Sequence, residues 1–402
     1  MLRRFALYGF LKNQRYFEPF LLLVFLEKGL DFFQIGLLIG FRELCVNLME
    51  VPSGAAADLY GRRRSMLLSF SAYIASFVVF ALADSIALLS AAMFLFAIGE
   101  AFRTGTHKAM ILDWLNREGR GDERTRVYGF TRSWSKIGSA LSVLIAAGLV
   151  FWTGRYSTIF WFSIPPYALA LVNFLGYPAW LDRAGAGPVT VRKAMAHLGK
   201  SVADAFRNAR IRRLVLESSA FEGTFRAGKD YLQPVLQQVA IGIPLLVSLP
   251  ANRRSALLIG AVYAVLHLLS SLSALNAYRL AGARGGEDGG SLLLWGMVLV
   301  VYLVLVPAFH MNILPLAVAG FVALAAAQSL WRPIIVSRFH RCAPAGREAT
   351  ILSIESQSNS AATMVLAPVV GFLVERTGFA SIGITGAVLA GVILAGFYTR
   401  RR

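Results

Sequence analysis

The sequence predicts an all-α polytopic membrane protein, with twelve transmembrane helices arranged as two pseudo-symmetric six-helix bundles. Three observations carry this expectation. Of 402 residues, 56% are apolar and only 15% are charged, whereas about 25% of a soluble domain is charged. Apolar stretches long enough to cross a bilayer recur along the chain, since a hydrocarbon core of about 30 Å takes about 20 helical residues. The basic residues collect in alternate connections. Strand-type alternation is missing, which excludes a β-barrel.

The spans follow in order. The first, 5–26, is interrupted by Lys12, Arg15 and Glu18, and the second, 32–49, by Arg42 and Glu43. Uncharged stretches at 65–83, 85–99, 137–154 and 156–181 complete the first half. The chain then turns polar around Ala184-Gly185-Ala186-Gly187-Pro188, which predicts a linker over 182–210 between an N-terminal bundle (1–181) and a C-terminal bundle (211–402). The second half opens with 214–239, interrupted by Glu222, Arg226, Lys229 and Asp230, and continues through 255–278, 291–309, 311–331, 356–374 and 377–399. Twelve spans in 402 residues leave about 33 residues per helix and connection, which suits short loops. The first span has no small-residue cleavage site, so it is expected to be retained rather than removed as a signal peptide.

A net charge of +18 would suggest nucleic acid in a soluble protein, but here the charges follow the membrane and no nucleic-acid partner is expected. With the N-terminus inside, 25 of the 40 Lys and Arg residues fall in inside segments and only Lys28, Arg155, Arg253, Arg254 and Arg376 outside. That bias predicts cytoplasmic termini. The excess of Arg over Lys and the abundant Ala point to a GC-rich bacterial source and therefore an inner membrane. Cys45 lies within a span and Cys342 in an inside loop, so no disulfide framework is expected.

Two segments look like copies of one another. Tyr16-Phe17-Glu18-Pro19-Phe20-Leu21 in the first span matches Tyr231-Leu232-Gln233-Pro234-Val235-Leu236 in the seventh. Each copy opens a six-helix half, as in transporters built from parallel repeats with a site between the halves.

The connection between spans 2 and 3 runs Gly54-Ala55-Ala56-Ala57-Asp58-Leu59-Tyr60-Gly61-Arg62-Arg63-Arg64. Gly54 would let two helices approach, Asp58 would face the positive end of a neighbouring helix, Gly61 would permit a tight reversal, and the arginines would hold the anionic leaflet. This order, preceded by Glu50-Val51-Pro52-Ser53, resembles the helix 2 to helix 3 signature of the major facilitator superfamily. Arg103-Thr104-Gly105-Thr106 through Asp113 also resembles many bacterial members. The likeness extends over the whole chain in its six-plus-six layout, although only this loop is sharply diagnostic. It implies two bundles around a central cavity, alternating access, and a cytoplasmic gating latch of Asp58 with Arg62 or Arg63. Leu59 departs from the family, which usually has a basic residue there. The fifth span has Gly138-Ser139-Ala140 where drug antiporters of the family carry Gly-Pro and paired glycines.

An ionisable group inside a membrane costs a few kcal/mol, so each must face protein or water. Helical spacing gathers them into stripes. These are Lys12, Arg15 and Glu18 on the first span; Gly36, Gly40, Glu43, Asn47 and Glu50 on the second; Glu100, Arg103 and His107 on the fourth; Tyr128, Arg132, Lys136 and Ser139 on the fifth; and Glu222, Arg226, Lys229 or Asp230, Gln233 and Gln237 on the seventh. Arg42, His267, Arg332, Glu355 and Gln357 complete the set. Individual members could be halves of structural ion pairs, such as Arg15 with Glu18 or Glu100 with Arg103, and Gly36 and Gly40 fit close helix packing. Together the stripes predict one aqueous cavity, lined in the resembled family by spans 1, 4, 5 and 7. In the first half Arg15, Arg42, Arg103, Arg132 and Lys136 outweigh Glu18, Glu43 and Glu100, which favours an anionic or zwitterionic solute. Glu18, Glu100, Glu222, Asp230 and Glu355 are candidates to carry a coupling proton.

Other functions are disfavoured. Gly199-Lys200-Ser201 resembles the end of a phosphate loop, but Ala194 replaces its first glycine and no strand precedes it. The five histidines lack metal-ligand spacing, and no arrangement of nucleophile, base and orienting acid can be assembled. No enzyme, metal or cofactor is expected. The reading is a monomeric secondary transporter, symporter or antiporter, for a small polar or charged organic solute, coupled to protons. The alternatives are a drug efflux antiporter, which would want a more aromatic and less charged cavity, and a membrane solute sensor, for which no appended signalling domain is present.

Overall fold

The computed structural model of the chain describes residues 1–182, 199, 202–203, 206–244, 247–283, 286–344 and 347–398. The expected linker therefore lies largely outside the described residues. Among the described residues the chain is helical, with no strand. Eight helical stretches are long and apolar enough to cross a membrane, and Ile159–Leu175 and Ala380–Gly396 are shorter apolar helices. The exterior matches a lipid solvent: Leu48, Trp152, Val172 and Leu275 are 63–71% exposed, which would be a liability in water.

The chain divides into two compact units. The first, Met1–Val24 with Phe41–Leu198, contains α1 (Leu2–Leu11), most of α3 (Phe32–Tyr60), α4 (Arg62–Leu82), α5 (Ile86–Arg103), α6 (Thr106–Arg117), α7 (Arg124–Thr153) and α8 (Ile159–Leu175). Its core is aromatic. Phe70, Tyr73, Phe77, Phe160, Tyr167 and Phe174 are all essentially buried, and α4 packs on α5 with Ser69 and Ser76 donating to the Gly99 and Ala92 carbonyls at 2.5 and 2.9 Å.

The second unit, Phe25–Gly40 with Gly199–Arg402, contains α9 (Ala209–Gly228), α10 (Leu232–Ile241), α11 (Ala251–Ala283), α12 (Gly286–His310), α13 (Leu314–Cys342), α14 (Glu348–Thr377) and α15 (Ala380–Tyr398). Phe221 stacks on Trp331 with ring centroids 4.5 Å apart. The start of α3 also belongs here. A Cβ on Gly36 would stand 2.5 Å from the Ala367 carbonyl, and one on Gly40 would stand 2.8 Å from that of Met364. The two glycines are thus packing positions against α14, as their spacing suggested.

Two expected spans are broken, and the breaks coincide with the repeated segments. After α1 the chain leaves the helix and resumes through a 3-10 turn, Glu18–Phe20, into α2 (Leu21–Glu27). After α9 the 3-10 turn Lys229–Tyr231 leads into α10. In both copies a proline, Pro19 or Pro234, withholds an amide where a continuous helix would need one. The internal repeat therefore marks the same kink in each half. The fourth span also breaks: Gly105, at φ +80, separates α5 from α6 in a backbone region that glycine adopts readily.

Candidate functional site

Close packing of α1 on α7 creates the first unit's cavity. A Cβ on Gly138 would lie 2.6 Å from the Phe10 carbonyl and one on Gly9 2.8 Å from Ser135 Oγ, so small residues are required at this seam. Gln14 Nε2 donates to the Gly138 carbonyl at 3.2 Å. The turn at Gly105 swings α6 to form the third wall. The open cavity lined by α1, α6 and α7 has a volume of about 910 Å³.

Five cationic side chains line it: Lys12 from α1, Lys108 from α6, and Arg124, Arg132 and Lys136 from α7. Among the described residues no carboxylate does. Among the described residues none of the five forms an ion pair. Asn13, Tyr128, Ser135 and Ser139 supply neutral polar groups, with Tyr128 Oη donating to the Lys108 carbonyl at 3.0 Å. His107 stacks on Tyr8 at 3.8 Å, and its buried Nε2 has no hydrogen-bond partner among the described groups. A concave surface of one sign, with low-dielectric walls, concentrates counter-ions.

Arg15, Glu100 and Arg103 are brought together, but as a compensated cluster beside the cavity. Glu100 accepts from Arg103, from Arg15 at 3.4 Å and from Tyr73 Oη at 2.5 Å. Arg103 also donates to Tyr73 Oη at 3.3 Å. The fourth-span stripe expected to join Glu100, Arg103 and His107 is divided by the Gly105 break, so His107 lines the cavity while Glu100 and Arg103 do not. Arg42 pairs with Glu43 at 2.7 Å on α3, and Glu18 is exposed at the start of its 3-10 turn.

In the second unit the intramembrane acids are bonded, and Glu355 and Glu222 are also buried. Glu355, wholly buried, accepts from Ser218 and Asn359 at 2.6 Å and from both Arg332 Nη atoms at 2.6 and 3.1 Å. Glu222, 3% exposed, accepts from Gln328 at 3.1 Å and lies 3.7 Å from Arg226. Asp230 pairs with Lys229 at 3.1 Å, and Gln233 is buried. Gln357 is half-buried, two residues from Glu355 and so on the other side of α14.

Around the expected latch, the described residues supply further contacts. Gly61 has φ +103 and would place a Cβ 2.8 Å from Asp182, so the tight reversal does depend on glycine. Arg62 pairs with Asp113 of α6. Arg63 donates to the Phe174 and Leu175 carbonyls at 3.1 and 2.8 Å and lies 3.6 Å from Asp182, which also accepts from the Arg64 amide. The side chain of Asp58 lies outside the described residues. A Cβ on Gly54 would meet no described atom within 4 Å.

Lys108, Arg124 and the pair Glu217 with Arg338 were missed as site or network residues. Arg124 precedes Tyr128, Arg132 and Lys136 by the same four-residue step, so the stripe itself could have found it. Lys108 could not be found this way, because its position depends on the Gly105 turn.

Comparisons place this geometry in a family. The family model for the Major Facilitator Superfamily matches residues 13–340. An uncharacterized MFS-type transporter, YxaM, from Bacillus subtilis (strain 168) is 29% identical over 166 residues, or 41% of this chain and 38% of that protein's length. A mutant of the nucleoside transporter NupG superposes with a TM-score of 0.79 at 12% identity, covering 99% of this chain and 98% of the other. A mutant of the peptide transporter POT gives 0.72 at 17% identity, with 98% and 93% coverage. A match of a family model to most of the chain, in a fold of two helical units, means that the protein is a multi-pass membrane transporter and belongs to the Major Facilitator Superfamily.

Proposed function

We propose that the protein is a secondary active transporter that moves a small organic anion by alternating access. The observation that carries this reading is the lining of the first unit's cavity: among the described residues, five cationic side chains, no carboxylate, and no ion pair formed by any of the five. Neutralising these charges with solute rather than with protein leaves the site open to an anion, since an uncompensated charge at membrane depth is costly. The paired Arg15–Glu100–Arg103 cluster braces the wall, whereas Arg132 and Lys136 bind. Solved structures named for nucleoside and peptide transport support a small organic solute. The drug efflux alternative wants a less charged chamber than one lined by five cationic side chains.

Coupling to protons is assigned to the second unit, where Glu222 has a neutral amide, Gln328, as its nearest bonding partner and can be neutralised without orphaning a close guanidinium. The gating residues are Gly61, Arg62 and Arg63 with Asp58, and Asp113 and Asp182 extend that set. The basic connections favour cytoplasmic termini in a bacterial inner membrane, with bundles 1–181 and 211–402 joined by the 182–210 linker and functioning as a monomer.

The test is ligand-induced thermal stabilisation of the purified protein against size-matched solutes of each charge, with succinate, putrescine and erythritol as probes. Stabilisation by succinate that weakens with added salt supports the reading. Stabilisation by putrescine alone overturns it.

A further inference from the structure

The helix registers gather the cavity's cations rather than spreading them. α6 and α7 run antiparallel, with Tyr128 Oη on the Lys108 carbonyl at 3.0 Å and Arg124 on Asn116 Oδ1 at 3.1 Å. Side chains lean toward the N-terminus of their own helix. Lys108 therefore leans away from the Asn116 end and toward Arg132, which lies one turn past Tyr128 and leans back toward it. Lys12 on α1 follows the same rule, its Nζ lying 5.7 Å from the centroid of the Tyr8 ring. That ring stacks at 3.8 Å on His107, the neighbour of Lys108, and Lys12 and Lys108 are within Coulombic range of one another. Three helices thus bring Lys12, Lys108 and Arg132 to one region of the cavity, with Lys136 a turn beyond Arg132 on α7.

The hydroxyl protons of Tyr128, Thr131, Ser135 and Ser139 are already given to backbone carbonyls, which leaves recognition chiefly to the cations. Such a site selects for density of negative charge. A single carboxylate would offset one cation of the three, and a zwitterion would bring a further positive charge to a lining with no described carboxylate to receive it. A phosphate monoester carries about −1.5 to −2 at neutral pH, on three acceptor oxygens. That suffices for a forked contact from the Arg132 guanidinium and point contacts from both ammonium groups. We propose that the solute is a phosphate monoester whose phosphoryl group lies among Lys12, Lys108 and Arg132. This inference rests on the reading that the cavity binds organic anions.

The experiment measures equilibrium binding of radiolabelled butyl phosphate, butyl sulfate and pentanoate to the full-length purified protein at about pH 8 and about pH 5, either side of the second phosphate pKa of about 6. Butyl sulfate has the tetrahedral shape of butyl phosphate but only one charge. Butyl phosphate is expected to bind at least tenfold more tightly than the other two at the alkaline pH, and to fall to the butyl sulfate level at the acidic one. Lys108→Gln and Arg132→Gln should each narrow the alkaline difference at an unchanged melting temperature. The comparison of ligands on the unaltered protein decides the matter whether or not these variants fold. Competition distinguishes the sources of the group: displacement of butyl phosphate by glycerol phosphate indicates a soluble ester, and displacement by lysophosphatidate alone indicates a lipid headgroup. Butyl sulfate or pentanoate binding as tightly as butyl phosphate at the alkaline pH overturns the phosphoryl group while leaving the anion reading intact. Failure of all three anions to bind overturns both.

Discussion

Arg338 Nη1 lies 2.7 Å from Glu217 Oε1, and the two residues are only 4% and 2% exposed. Ser291 donates to the same carboxylate oxygen at 2.5 Å, and Arg338 Nε reaches Asp288 at 2.7 Å. This network ties α9, α12 and α13 together at one end of the second unit. The first unit has a counterpart of opposite polarity. There the arginines, Arg62 and Arg63, begin the third span and the acid, Asp113, is on α6. In the second unit the acids, Glu287 and Asp288, begin the ninth span, and the arginines, Arg338 and Arg341, end the tenth.

Because the Glu217–Arg338 pair is buried, removing one partner strands a charge. Arg338→Met is expected to cost about 3–5 kcal/mol of stability, whereas the double change with Glu217→Met should cost less, since two apolar side chains need no partner. Thermal unfolding of the three purified variants reads this directly. A double variant as unstable as Arg338→Met would contradict it.

The Arg62–Asp113 pair is different in kind, because the Asp113 side chain is 45% exposed. Such pairs contribute about 0–1 kcal/mol. Asp113→Asn should therefore leave the melting temperature nearly unchanged while altering transport rate, and exchanging the two charges in one variant should restore much of that rate. A large loss of stability in Asp113→Asn would mean that the pair braces the unit instead.

Gly61→Ala carries two penalties. The backbone at φ +103 is strained for a side chain, and the new methyl would meet Asp182 at 2.8 Å. The left-handed conformation alone costs about 1–3 kcal/mol. Lower expression and a lower melting temperature are expected, whereas Gly54→Ala, meeting no described atom within 4 Å, should be neutral. Equal behaviour of the two variants would remove the distinction.

Arg132→Ala tests the binding wall. Arg132 is exposed to the cavity and forms no ion pair with a described residue, so its loss should not destabilise the protein. Loss of a charge-assisted hydrogen bond should weaken anion binding by about 1.5–3 kcal/mol. Affinity and melting temperature measured on the same preparation separate this from a bracing role, and unchanged affinity would exclude Arg132 from the site.

The membrane-spanning helices were legible because a bilayer allows few solutions: twenty apolar residues form a helix, and Gly61 with its arginines makes a short turn. The α7 stripe was also legible, since Arg132 and Lys136 lie one turn apart on an unbroken helix. What the sequence hid came from broken helices. Continuous 3.6-residue periodicity put His107 on the stripe of Glu100 and Arg103, but the turn at Gly105 moves it to another wall together with Lys108. Glu217 and Arg338 were missed for a related reason. Their pairing joins helices 121 residues apart in the chain, and no local spacing encodes which interhelical faces meet.

The two buried carboxylates of the second unit make the sharpest comparison. Glu222 accepts from Gln328 and has Arg226 only at 3.7 Å, so a neutral glutamine in its place keeps the volume and leaves no closely bonded cation behind. Glu222→Gln is expected to fold normally, lose solute accumulation driven by a proton gradient, and retain exchange of solute for solute, because a permanently neutral side chain can still cycle with solute bound. Glu355 sits under two Arg332 nitrogens and accepts from Ser218 and Asn359 as well. Neutralising it strands Arg332, so Glu355→Gln should cost about 3–5 kcal/mol of stability and reduce accumulation and exchange together. Proteoliposome accumulation, counterflow and melting temperature on both variants distinguish these outcomes. Accumulation at the wild-type level in Glu222→Gln would assign the coupling proton elsewhere, and Glu355 would inherit the role only if Glu355→Gln lost accumulation while keeping counterflow.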